Sequence, residues 1–539
     1  MSQTPTANGT PPSGETPAPT HSGEEVGGPY AYYVLGVLLL VYVFNFIDRQ
    51  IISILAEQIK ADLGLTDAQL GFLYGTAFAV FYAIFGLPLG RLADVWVRRR
   101  LIAIGLTFWS LMTAASGFAR SFLWLGSFRI GVGIGESSAT PAAFSLLSDY
   151  FPPSVRATVL AIYSSGIYIG AGIGIFLGGT ISDSWNAAYW DAGIAAPLGL
   201  RGWQAAFLAV GLPGLALAVW AATLREPVRG QSEGLVMAQT AERPFHEFGR
   251  EMMAVIPPLT VWNLARRGGV RHVAGNLLAA LAIGVVALGM IEWLGSPTQW
   301  IALGIGLYGA VSWTQALALR DPPAFSLIFR SRAFLYSVCG FSFLGFIGYG
   351  LGFWTAPFFL REHGVSTSEA GTVLGLTAAI AGWAGITLGG IWSDRWRRRS
   401  VNGRLYVGIL TSLLPVPFAV GMLLTPSTTT AYALNVAVAA AAGLWIGPAA
   451  STVNDLVLPR MRAVASATYI LVITFIGLAL GPYSIGRASE AIGDLRVAML
   501  LALPINALAV LFLVLATRHL GRDERTRLDR AREAGEPGV

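Results

Sequence analysis

Gly90-Arg91-Leu92-Ala93-Asp94-Val95-Trp96-Val97-Arg98-Arg99-Arg100 decides the fold, because the chain carries it twice. Residues 390–399 read Gly390-Ile391-Trp392-Ser393-Asp394-Arg395-Trp396-Arg397-Arg398-Arg399, so the Gly, the Asp and an Arg pair return at an offset of 300. Each copy lies between two apolar runs. A second echo follows at an offset of 306, where Asp149, Arg156-Ala157 and Tyr163 are matched by Asp455, Arg462-Ala463 and Tyr469. Two halves of one chain thus hold the same pattern in the same order. In an apolar chain, a parallel repeat of this length predicts two pseudo-symmetric helical bundles around a central path.

Composition places those bundles in a membrane. The 539 residues are 54% apolar and only 12% charged, with a mean hydropathy of +0.60, whereas soluble domains carry about a quarter charged residues. The 64 glycines suit helices that pack closely in lipid. A single cysteine, Cys339, excludes an internal disulfide and a cysteine metal cluster. The net charge of +6 is dispersed among loops, which argues for membrane topology and against a nucleic-acid partner.

Apolar runs of about the length a bilayer requires are expected at 31–56, 69–93, 100–120, 122–149, 156–182 and 203–224. Two more fall at 273–294 and 298–319. Six others follow at 333–361, 369–393, 404–425, 430–457, 463–490 and 495–517. The expectation is an all-α polytopic protein of about 14 spans. Its parts would be a disordered tail at 1–29, bundles at 30–226 and 333–519, a linker with an inserted helix pair at 227–332, and a tail at 520–539. With both termini cytoplasmic, six of the 36 Lys and Arg fall outside (Lys60, Arg120, Arg201, Arg361, Arg487 and Arg496) and three (Arg49, Arg91 and Arg129) within spans. The remainder lie inside, a clear positive-inside bias. Residues 1–29 contain no Lys or Arg and lack the basic region of a signal peptide. The location expected is the cell (inner) membrane.

Charges within spans are costly, so each needs a reason. The first span holds Asn45, Asp48 and Arg49, and the fourth holds Arg129, Gly133, Gly135 and Glu136. Arg129, Gly133 and Glu136 fall near one helix face. These charges could be an ion-pair network that clips helices together. They could equally form a set that protonation rebalances. All five histidines lie in loops, tails or span ends, so any proton would be carried by carboxylates. The second half is apolar by contrast: the span from 333 carries Phe346, Tyr349, Phe353 and Trp354 among several glycines. A charged half facing an apolar one suits an amphipathic ligand. Asp94, Arg98 and Arg99, with Asp394, Arg398 and Arg399, read as charge latches for gating.

The repeated stretch resembles the Gly-x3-Asp-(Arg)-x-Gly-Arg-Arg motif of the major facilitator superfamily. Val97 and Arg397 stand at its second Gly and Val95 at its first Arg. Arg129-x3-Gly133-x-Gly135 and the glycine-rich stretch from Gly166 to Gly179 are similar to the motifs of that superfamily's fourth and fifth helices. Within it, Asn45-x2-Asp48-Arg49, Gly133-x-Gly135-Glu136-Ser137 and Asp149-x6-Arg156 look most like the Spinster family of proton-linked lysophospholipid and sphingosine 1-phosphate transporters. That resemblance implies two six-helix bundles exchanging inward-open and outward-open states, and no enzyme. It implies Asp48 and Glu136 as a protonation pair, with Arg49 and Arg129 engaging them or an anionic head group. The inserted pair departs from the family's twelve helices. The partners expected are protons, membrane lipids and a small amphipathic substrate, with no cofactor and no metal. The rivals are a small organic-anion symporter or multidrug exporter of the same fold, and a non-transporting receptor. No nucleotide-binding loop or paired nucleophile points to catalysis.

Overall fold

The computed structural model describes residues 26–233, 243–256 and 259–536; most of the amino-terminal stretch expected as a disordered tail lies outside them. α1 (Pro29–Leu63) starts on a proline and ends at Gly64, whose positive φ of 63° lets its N–H reach the Lys60 carbonyl. The first half continues with α2 (Asp67–Tyr74), α3 (Thr76–Val95), α4 (Arg98–Ser116), α5 (Phe122–Glu136), α6 (Ala139–Tyr150), α7 (Pro153–Trp185) and α8 (Gly202–Ala222). The middle segment holds α9 (Pro244–Val255), α10 (Leu259–Leu294), α11 (Pro297–Arg320) and α12 (Pro322–Phe329).

The second half repeats the first. It runs through α13 (Arg332–His363), α14 (Thr367–Thr377), α15 (Trp383–Arg399), α16 (Gly403–Leu413), α17 (Pro415–Leu424) and α18 (Thr428–Ala442). It ends with α19 (Ile446–Asp455), α20 (Arg462–Ile473), α21 (Leu480–Ile492), α22 (Leu495–Ala502), α23 (Asn506–Arg525) and α24 (Arg527–Glu533). The fourth span is broken in both halves, after Glu136 and after Ala442. π-helical turns at Ala378–Gly382 and Thr474–Ala479 join α14 to α15 and α20 to α21. Each lies in a helix packed against the opposite half.

Twelve helical stretches among the described residues are long and apolar enough to cross a bilayer, fewer than the fourteen expected. The difference lies in the third and fourth. α4 packs three consecutive arginines into its 19 residues, and α5 and α6 are separate pieces of 15 and 12 residues. The chain is a multi-pass membrane protein with an all-helical fold.

The helix ends define two faces. One carries Trp96–Arg100, Arg225–Arg229 and Arg395–Arg399 and is called the arginine-rich face below; the other carries Gly64, Gly364 and Gly493. On that second face the halves are clasped. Arg361 forks onto Asp67 with two contacts of 2.7 Å and bonds Glu57 at 2.8 Å. Asp67 also accepts from Lys60 at 2.6 Å and from Ser489 at 2.7 Å. α7 and α14 close the other side of the clasp, where the Ser368 N–H donates to Asp183 at 2.6 Å. Backbones meet directly here: a Cβ on Gly71 would lie 2.5 Å from the Pro482 carbonyl oxygen. On the arginine-rich face, by contrast, Arg98, Arg397 and Arg404 each pair within their own half.

Candidate functional site

Four helices of the first half bring the intramembrane charges together. The Arg49 Nε on α1 donates to Glu136 Oε2 on α5 at 2.6 Å, and Glu136 is fully buried. The Arg49 guanidinium stacks on Phe78 of α3 at 4.4 Å, with Phe46 and Tyr82 both at 4.8 Å. This three-ring collar holds a cation in an apolar setting, since ring faces are electronegative. The Arg129 Nη1 on α5 donates to the backbone carbonyl of Asp48 at 3.0 Å. Two arginines therefore tie α1 to α5 at adjacent α1 residues.

The close approach is possible because α5 is bare of side chains there. A Cβ on Gly133 would lie 2.6 Å from the Phe78 carbonyl oxygen, and one on Gly135 would lie 2.8 Å from the Trp109 Cβ. The Gly-x-Gly spacing thus seats α5 against α3 on one side and α4 on the other. It places the Glu136 carboxyl within reach of α1.

The two carboxyls are in different settings. Glu136 is paired with Arg49. Asp48 is buried, and its Oδ1 has no hydrogen-bond partner among the described residues. The amide of Asn45 is likewise buried without one. Arg129 meets the backbone of Asp48 and not its carboxylate.

The aromatic residues of α13 divide. Phe346 is buried near the middle of the helix, and Tyr349 is half-buried. Phe353 and Trp354, expected on the apolar side of an amphipathic ligand, sit inside the clasp. The Phe353 ring stacks on Tyr74 at 4.6 Å and its carbonyl accepts from Ser53 at 3.0 Å. Trp354 donates from Nε1 to the Pro482 carbonyl at 2.8 Å. Both are closed off because α2 and α21 press together around them.

The latch residues also divide. Arg98 is fully buried, paired with Asp149 and with Glu226 at 2.7 Å. Arg99 donates to the Leu224 carbonyl at 2.6 Å. Asp94 is exposed and has no ion-pair partner among the described residues. In the second half the pairing is made by Arg404, which bonds Asp455 and lies 3.9 Å from Asp394. Arg398 and Arg399, expected in that role, are exposed. Six extra residues between Asp394 and Arg404, relative to Asp94 and Arg98, move the pairing arginine forward, so the offset of 306 governs and not 300.

Sequence reasoning missed the clasp. Lys60 and Arg361 read from sequence only as charges outside the spans, and nothing in the order of residues links Arg361 to Asp67 across 294 residues. Among the described residues no group of three or more His, Cys, Asp or Glu could hold a metal.

Two repeated helical halves, clasped at one face, with charges buried among the helices of the first, define the class of transporters in which a ligand passes between the halves. The chain belongs to the Major Facilitator Superfamily, whose model matches residues 38–482, a family of transporters and not of enzymes. It is similar to an MFS-type efflux pump of Mycolicibacterium smegmatis, 26% identical over 88% of each chain. It is similar as well to protein spinster of Drosophila melanogaster, 23% identical over 90% of this chain and 65% of that one. Among solved structures, a bacterial homologue of the human lysosomal transporter Spinster, inward-facing and unoccupied, superposes with a TM-score of 0.65. It is 28% identical, covering 93% of this chain and 98% of that one. The chain is a Spinster-like member of the superfamily.

Proposed function

We propose that this transporter moves an amphipathic, anionic, lipid-like molecule of the lysophospholipid or sphingosine-phosphate type, coupled to protons, by alternating access. The observation that carries the reading is the Arg49–Glu136 pair beside the buried carboxyl of Asp48, whose Oδ1 has no hydrogen-bond partner among the described residues. A phosphate head group competes with Glu136 for the Arg49 guanidinium, since arginine binds phosphate and carboxylate by the same fork. A carboxylate displaced from its ion-pair partner in a low-dielectric site is costly. Uptake of a proton, supplied by the proton gradient, removes that cost, so head-group binding and protonation are linked at Glu136, with Asp48 as the second proton carrier.

The apolar face offered by Phe346 and Tyr349 on α13 suits the chain of such a ligand. Likeness to Spinster proteins supports the substrate class, and the efflux-pump relative supports a second reading, export of organic drugs by the same charge set. In this proposal the arginine-rich face is cytoplasmic in a cell membrane, and both termini lie on that side. α4 and the α5–α6 pair then cross the bilayer as well, which brings the spans to about fourteen, and α10–α11 form an inserted pair between two bundles.

The test is uptake of a fluorescent lysophospholipid into proteoliposomes under an imposed proton gradient, with wild type and Glu136→Gln. Gradient-driven uptake that is lost in the variant supports the proposal. Binding without gradient dependence removes proton coupling, and drug transport without lysolipid transport selects the second reading.

A further inference from the structure

The two long middle helices differ in what surrounds them. α11 is fixed to both halves: the side-chain amide of Gln299 meets Thr76 Oγ1 at 2.7 Å, and Trp300 packs edge-on against Tyr483 at 5.6 Å. α10 lies outside it, with none of its most apolar window buried in protein. Leu278, Leu281 and Val286 are all largely exposed. In a multi-pass membrane protein that surface faces acyl chains. Trp262 and Trp293, toward the two ends of α10, are exposed as well, and tryptophan rings in such positions sit at the level of the lipid head groups.

α10 is built of two pieces. Gly269 has φ 71° and ψ −174°, a conformation essentially closed to other residues. The chain therefore turns there, between a short helix at 259–268 and the long lipid-facing one. Arg266 and Arg267 end the short piece and Arg271 begins the long one, so three guanidinium groups gather at the elbow. All three are exposed, and none has a hydrogen-bond or ion-pair partner among the described residues. Beside them lies a small pocket lined by Asn263 and Arg267 of α10, Arg250 and Glu251 of α9, and Arg320 of α11. Its carboxylates are already taken. Arg320 pairs with Glu251, and Glu247 is shared between Arg250 at 3.2 Å and Arg91 at 3.5 Å.

Positive-inside topology accounts for arginines near a span end. It does not account for their convergence from three helices on one pocket at the foot of a lipid-facing helix. We infer that this elbow is a binding site for an anionic glycerophospholipid of the surrounding bilayer. Basic pockets between membrane helices hold anionic head groups. Arg267, with Arg250 and Arg320 beside it, takes the phosphate through paired N–H donors, and Asn263 adds its amide. Arg266 and Arg271 supply positive charge that no carboxylate offsets, and the acyl chains run along the exposed Leu278 and Leu281 face. Free phosphate shares the head-group chemistry but has no use for that apolar face, which selects the lipid. The site is independent of the substrate and of proton coupling.

The test is hydrogen exchange of the full chain in nanodiscs of phosphatidylcholine alone and of phosphatidylcholine mixed with phosphatidylglycerol. Exchange across residues 259–272 should be slower in the mixed discs by at least about fivefold, the factor that one arginine contributes near an anionic surface. Arg266→Gln, Arg267→Gln and Arg271→Gln together should abolish the difference, and Arg267→Gln alone should reduce it. Arg395→Gln, Arg398→Gln and Arg399→Gln together, equally exposed on the same arginine-rich face, should leave it in place. Inorganic phosphate added to the phosphatidylcholine discs should not reproduce it. Equal exchange in the two discs overturns the inference, as does a difference that survives the elbow substitutions. A difference that the second triple variant also removes marks a general charge effect and overturns it too. Protection by inorganic phosphate without anionic lipid overturns it in favour of a soluble anion.

Discussion

Arg404 is the structural counterpart of Arg98. Arg98 pairs with Asp149 and Arg404 with Asp455, each 51 residues on, and the two pairs are related by the same offset of 306. They differ in depth: Arg98 is fully buried whereas Arg404 is 17% exposed. Losing one partner of a buried pair strands the other, at about 3–5 kcal/mol. Arg98→Ala, which also frees Glu226, should therefore destabilise the protein by about that much. Arg404→Ala should cost less, and Arg398→Ala should be within about 0.5 kcal/mol of wild type. Thermal unfolding in detergent by intrinsic fluorescence checks the order.

Arg361 holds the clasp through a bidentate contact to Asp67 and a single one to Glu57. Arg361→Ala removes three charge-assisted bonds across the halves, each about 1.5–3 kcal/mol at most. The clasped state should lose population by at least tenfold. Alkylation of a cysteine at Ser53, which lies beneath the clasp, reports it: labelling from the Gly64 side should be slow in the parent and fast with Arg361→Ala.

Arg49→Lys keeps the charge but removes the planar group that stacks on Phe78 and the Nε donor that reaches Glu136. Arginine and lysine are not equivalent at such a site. Transport should fall at least tenfold while expression and oligomeric behaviour are retained. Uptake assays on the purified variant in proteoliposomes decide this.

The carboxyl-terminal helix is pinned outside the membrane spans. Arg460 reaches Asp321 at 2.7 Å and also pairs with Glu536. Burial alone would push the Asp321 carboxyl up, but the Arg460 guanidinium and the Ala324 N–H outweigh it and hold it below the usual range. Glu536 is held below its ordinary value chiefly by its bond from Arg460. A carboxylate whose value is lowered by folding stabilises the folded state above its unfolded value, near pH 4, and loses that contribution as pH falls. Hydrogen exchange across residues 527–536 should thus be independent of pH, after correction for intrinsic rates, from 7 to 5. It should rise as pH drops below about 4, and Arg460→Ala should show the raised exchange at every pH.

Much of this molecule was legible in its order of residues. Hydropathy and the repeated Gly90 and Gly390 stretches announce two related bundles, because a helix in lipid must satisfy its own backbone and so writes its length directly into sequence. Asp48, Arg49, Arg129 and Glu136 stood out for the same reason: a charge in an apolar run is conspicuous wherever it points.

Pairing was not legible. That Arg49 and not Arg129 meets Glu136, that Arg404 and not Arg398 completes the second latch, and that Phe353 and Trp354 are enclosed by the clasp depend on how helices rotate and approach. Those choices are set by contacts between residues far apart in the chain, such as Arg361 with Asp67 or Gln299 with Thr76. Local composition determines which segments become helices in the membrane. Only packing between them decides which buried polar groups find partners, because a hydrogen bond depends on distances of a few tenths of an ångström that no spacing along one helix specifies.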